Sequence, residues 1–138
     1  MNNVNAITET ALSAFYGSDT FYRHSLARNV IFTEGCAFLS LNGAGWLIDE
    51  IALVQNTKAL IGEGFQSWKL LVDSGSSSAV LIATDGGASE DADGHAIYKE
   101  LYRKQIPFTD FPLKSISLYC CANGEAPNGR TILLPSEY

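Results

Sequence analysis

Tyr22-Arg23-His24 is the densest group of reactive side chains in the chain. Histidine changes charge near neutral pH, so His24 is a candidate general acid or base. Arg23 would hold an anion, and Asp49 or Asp110 would orient the imidazole. Tyr22, Arg23, His24, Asp49 and Asp110 together make a candidate binding set, with His24, Arg23 and Asp49 as its catalytic members. No serine or cysteine nucleophile stands at a motif spacing, and G-x-S-x-G is absent, so the set names no reaction. The plainer reading is structural: His24 and Arg23 tie their segment to backbone carbonyls or to Asp49, as many ion-pair networks do.

A second pattern begins at Ser89. Ser89, Asp91, Asp93, Gly94 and Glu100 fall at positions 1, 3, 5, 6 and 12 of a twelve-residue calcium loop. Carboxylate oxygens at that spacing can wrap one cation. Yet position 1 is Ser rather than Asp, position 8 is Ala96, and the preceding segment reads as strand, so the flanking helices are missing. The plainer reading is a solvated acidic loop over residues 85–94, whose Glu90, Asp91 and Asp93 offer an acidic surface to a partner. A transition-metal site is not expected. His24, His95, Cys36, Cys120 and Cys121 include no C-x-x-C or H-x-x-x-H spacing, and adjacent strand cysteines point to opposite faces. Gly43-Ala44-Gly45 lacks the third glycine or the lysine of a phosphate loop. No cofactor is expected.

With 138 residues and a 46 % apolar share, the chain can build one core unaided, as a single domain over 1–138. No apolar run approaches the roughly 20 residues of a membrane span. The first residues, MNNVNAITETALSA, lack the basic and apolar regions of a signal peptide. Three cysteines, two of them adjacent, make a poor disulfide framework; they read as reduced thiols in a cytoplasmic setting. Nine Lys and Arg stand against 15 Asp and Glu, a net charge of −6. That field repels a phosphate backbone, so direct nucleic-acid binding is disfavoured. Such acidity serves solubility, or it docks on a basic partner such as the groove of a nucleic-acid-binding protein.

These residues need elements to position them. Ile7, Ala11, Leu12 and Phe15 predict a helix over 4–16, capped by Asn5 or Thr8 and stopped by Gly17. Val30–Thr33 reads as a strand or extended connector. Residues 36–41 are apolar and broken by Asn42-Gly43, and 46–55 carry a helical stripe. The period then changes to two: Gln66, Trp68, Leu70 and Val72 share one face of a strand. Strands follow at 79–84, 96–106, where Pro107 ends pairing, 115–122 and 131–134. Trp46 and Trp68 read as core. The tail Pro135-Ser136-Glu137-Tyr138 could latch the last strand or contact a partner. The expected class is α+β: N-terminal helices on one face of a C-terminal antiparallel meander of about four to five strands.

Several blocks resemble an uncharacterised domain-of-unknown-function family of small bacterial, phage and plasmid proteins. They are Tyr22-Arg23-His24, Trp46-Leu47-Ile48-Asp49-Glu50-Ile51-Ala52, Phe65-Gln66-x-Trp68-Lys69-Leu70, Thr109-Asp110-Phe111-Pro112-Leu113, Leu118-Tyr119 and Leu134-Pro135-Ser136-Glu137-Tyr138. The chain departs from that family in its acidic loop 85–94, where a short hairpin is usual. It departs again at 36–41, where a more helical, charged stretch is usual. The resemblance implies a fold and a mobile-element setting but no reaction. The first functional expectation is a non-enzymatic acidic protein that binds a host protein, in one form an inhibitor of a nucleic-acid-guided defence complex. The alternatives are a small-ligand or hydrolytic site on Tyr22, Arg23, His24 and Asp49, and a self-associating structural domain.

Overall fold

The computed structural model describes residues 4–17, 19–125 and 128–138. The helix expected over 4–16 is two pieces, a turn at Val4–Ala6 and α1 (Glu9–Ser13). Thr8 separates them because its backbone is extended, and its hydroxyl accepts the Ala11 N–H at 3.0 Å as an N-cap. Two strands follow, β1 (Phe21–Arg23) and β2 (Val30–Thr33). The chain turns from β2 directly into α2 (Glu34–Leu39) because Thr33 is both the last strand residue and the N-cap.

Residues 36–41, which carry no clear period, are therefore mostly helical. Asn42-Gly43 does not end this helix but bends it. A wide turn at Ser40–Ala44 holds Gly43 at φ 95, a left-handed backbone that glycine adopts without side-chain strain. The helical run then continues as α3 (Gly45–Leu53). By length and composition alone the whole run Glu34–Leu53 could cross a membrane, although Asn42, Asp49 and Glu50 interrupt its apolar residues. Its stripe of Cys36, Leu39, Ala44, Leu47, Ile48, Ile51 and Ala52 is buried in the core.

The remaining strands are β3 (Phe65–Asp73), β4 (Ser78–Thr84), β5 (Ser89–Glu90), β6 (Ala96–Ile97), β7 (Glu100–Ile106), β8 (Ser115–Ala122) and β9 (Arg130–Leu133). The main sheet has seven strands in the order β1-β2-β9-β8-β3-β4-β7. The expected four- to five-stranded meander is thus corrected in size and path: β8 pairs with β3 rather than β7, and β2 pairs with β9 in parallel. Pro107 ends β7, and the chain crosses the end of the sheet before β8, pinned by buried Phe111 and by the Thr109 N–H on Ser77 O at 2.8 Å. Segment 85–94 is not a bare loop, since β5 and β6 pair as a small hairpin.

The two-residue period puts Gln66, Trp68 and Leu70 of β3, Leu118 and Cys120 of β8, and Ile132 of β9 under the helices. Burying one such large apolar side chain contributes roughly 1.5–3 kcal/mol. Among the described residues, every buried side-chain N or O atom has a partner except Arg130 Nε. Gln55 and Gln66 exchange amide hydrogen bonds at 2.8 and 2.9 Å, and Trp68 Nε1 donates to Gln66 Oε1 at 2.9 Å.

The tail latches. In the turn Pro135–Glu137, buried Glu137 accepts Thr33 Oγ1 (2.6 Å) and the Leu134 N–H (3.0 Å) on Oε1, and the Gly35 N–H (3.1 Å) on Oε2. Gly35 leaves the space for this: a Cβ there would lie 2.6 Å from Glu137 Oε1. Hydrogen bonds to a charged group contribute about 1.5–3 kcal/mol, so Glu137→Ala and Thr33→Val should each lower unfolding free energy in urea by about that much. The double variant should lose less than the sum. Additive losses would show that the two residues do not act together.

Candidate functional site

The structure joins only part of the expected reactive set. His24 follows β1 and is buried, 4 % exposed. Its Nδ1 accepts the backbone N–H groups of Leu26 (3.1 Å) and Ala27 (2.9 Å). The proton of the neutral ring therefore belongs on Nε2, which donates to Asp49 Oδ1 at 2.7 Å. Neither nitrogen is left to face a bound molecule. Arg23 donates to the Arg28 carbonyl at 2.6 Å and stands 3.6 Å from Glu125, and Tyr22 stacks on Phe32 across the β1–β2 ladder. Asp110 lies elsewhere, in a depression with Trp46, Glu50 and Lys104. None of five surface depressions among the described residues is lined by Tyr22, Arg23, His24 or Asp49. This arrangement closes a turn, and it brings no reacting groups to a cavity.

The calcium-like pattern is also divided. Asp91, Asp93 and His95 cluster at the hairpin tip, within 4.8 Å of one another and exposed. Asp91 Oδ1 accepts the N–H groups of Asp93 and His95, both at 2.9 Å, so it serves the turn itself. Ser89 lies on β5, and Glu100 turns instead to Arg103, at 2.7 Å from Nη2. Glu90, Asp91 and Asp93 remain together on the hairpin as an acidic projection.

The cysteines are all free thiols. Burial pushes the Cys36 thiol up to about 12 and raises Cys120 as well, so neither supplies a thiolate near neutral pH. Partial burial also raises Cys121. A clamp of Glu50 holds α3 to β7. Lys104 Nζ and the Tyr102 hydroxyl donate to its two oxygens at 2.8 and 2.7 Å. Partial burial pushes Glu50 up, but these two bonds outweigh it and hold the carboxyl below its usual range. Burial, then the Glu50 carboxylate, pushes Tyr102 up to about 12.

The residues that sequence reasoning missed lie on the other face of the sheet. Helices cover one face; Phe65, Ser67, Lys69 and Leu71 of β3 and Ser117, Tyr119 and Cys121 of β8 look out from the other. Phe65, Tyr119 and Tyr138 form an aromatic trio with centroids 5.0, 5.3 and 5.8 Å apart. One depression of about 240 Å³ lies beside Tyr138, and a second of about 350 Å³ lies between the trio and Tyr98. The available signal was the odd-numbered register of β3, which is not the plain polar series of a solvated face.

An α+β protein with a seven-stranded, mostly antiparallel sheet, helical on one side and aromatic on the other, is the class these features define. The chain belongs to a family of unknown function, DUF6876, whose model matches residues 6–138. No match was found among curated proteins or among solved structures.

If His24 closes its turn, His24→Ala should cost about 1–3 kcal/mol of stability through two orphaned N–H groups. Asp49→Asn should cost less than about 1 kcal/mol, because Asp49 is 59 % exposed and its pair is screened. Equal losses in urea titrations would contradict that division. Iodoacetamide should alkylate Cys121 alone in the native protein, with Cys36 and Cys120 reacting only after denaturation. Mass spectrometry showing early modification of either buried thiol would contradict the packing.

Proposed function

We propose that this chain is a non-enzymatic binding protein that offers the uncovered sheet face, with the acidic hairpin beside it, to a protein partner carrying basic side chains. The observation that carries this reading is the uncovered aromatic face. Phe21, Leu71, Tyr98 and Tyr138 are exposed there or at its border, around the Phe65–Tyr119–Tyr138 trio. Aromatic groups concentrate at the energetic centres of interfaces because they bury much apolar area at little cost in rotamer freedom. Asp85, Glu90, Asp91 and Asp93 lie on or beside the adjoining hairpin, and such a charged rim speeds encounter with a basic surface. An inhibitor of a nucleic-acid-guided defence complex, acting in the bacterial cytoplasm, is one form of this reading. Its support is the net charge of −6 together with this hairpin.

Pull-down from host lysate tests it. A specific partner should be retained at low salt and weakened at high salt. Asp91→Lys with Asp93→Lys should slow association roughly tenfold and flatten the salt dependence, and Leu71→Arg should remove binding. A partner held unchanged by both variants would overturn this assignment of the surface.

A further inference from the structure

The 350 Å³ depression has a composition that protein docking does not explain. Lys69 and Ser117 face each other across the β3–β8 ladder, and Ser67 faces Tyr119 in the next outward pair. Phe65 and Tyr119 form one wall, with ring centroids 5.0 Å apart. Tyr98, between β6 and β7, forms the other and is 63 % exposed. The volume falls in the range of small-molecule sites.

Two glycines set the wall. Gly86 and Gly87 have φ of 75 and 80, a left-handed backbone. A Cβ on Gly86 would lie 2.6 Å from the Phe65 ring, and one on Gly87 would lie 3.0 Å from the Tyr98 ring. Any other residue pair would push these rings, so the glycines keep the main chain against both walls.

Lys69 is the only charged side chain lining this pocket among the described residues. Its ladder neighbours are Ile82 and Ser117, which offer no carboxylate. The other cations near this end are committed: Lys99 stands 3.8 Å from Glu63, Arg103 pairs with Glu100, and Lys104 pairs with Glu50. Asp85, which adjoins the pocket residue Gly86, is turned into the hairpin, where its Oδ1 accepts the N–H groups of Gly87 (3.0 Å) and Lys99 (3.1 Å). A lone ammonium flanked by two serine hydroxyls recognises a carboxylate or phosphate. Aromatic walls on both sides recognise a flat ring by stacking. The net charge of −6 works against a polyanion, which leaves a small one.

We propose that this pocket binds a small ring-bearing anion, its carboxylate or phosphate on Lys69, Ser67 and Ser117 and its ring between Tyr98 and the Phe65–Tyr119 wall. This goes beyond the partner reading and does not rest on it.

Amide NMR of the full chain tests the site, with adenosine monophosphate and indole-3-acetate as ringed anions and adenosine and inorganic phosphate as their halves. At least one ringed anion should give saturable shifts at Ser67, Lys69, Gly86 and Ser117, with each half binding about tenfold more weakly or worse. Response to the nucleotide alone would identify a nucleoside phosphate as the source, and response to the indole alone an aromatic carboxylate. Lys69→Gln and Tyr98→Ala should each weaken binding about tenfold. Their urea midpoints should stay unchanged, because both side chains are exposed. Absence of pocket shifts with either ringed anion at millimolar concentration would overturn the proposal, as would affinity unchanged in both variants. A chain that captures a protein partner yet gives no pocket shifts loses this inference alone.

Discussion

The Glu137 carboxylate holds three donors, and the arrangement of helix on sheet depends on it. It joins Thr33 to the tail across 104 positions of sequence. Thr33 ends β2 and caps α2 at once, so fixing its hydroxyl fixes the angle at which the helix leaves the sheet. A negative charge at that end also complements the helix dipole. The same contact closes the one parallel pair among the described residues, β2 with β9, because Glu137 follows β9 by a single turn. Gly35 is the residue that permits so close an approach.

From this anchor the bent run Glu34–Leu53 lies across one face of the sheet, and the Glu50 clamp ties its far end to β7. His24 closes the turn between β1 and β2, and its pair with Asp49 adds a second tie to α3. His24, which looked most reactive, is thus engaged in closing a turn and tying it to the helical layer. The consequence is one-sided. Seven strands have a second face, and among the described residues no helix covers it. That face carries the aromatic trio and Lys69, and the acidic hairpin stands at its border.

Elements with a strong period were legible in the sequence. Ser115–Ala122 and Val30–Thr33 form over the residues their patterns mark, and β3 begins within one residue of its expected start. The sequence offered Asp49 or Asp110 as the partner of His24, and the structure takes Asp49, on α3. What was hidden is long-range. Nothing in the local pattern of 115–122 tells whether it joins β7 or β3, since the choice is made by shared burial of Leu118 and Trp68 under the helices. Asn42-Gly43 reads as a break yet bends a continuing helix, and no local pattern shows that Gly35 admits Glu137. The Lys69 pocket draws on β3, β8 and the hairpin link, so no window of sequence contains it.

The central claim is that the uncovered sheet face, not the helical layer, meets other molecules. Photo-crosslinking in cells tests it most directly, with a benzophenone side chain placed at Leu71 or Tyr138 on the sheet side and at Lys58, after α3, as the contrasting position. The account predicts a discrete, reproducible adduct from the sheet-side positions and none from Lys58. An adduct formed from Lys58 alone would contradict it.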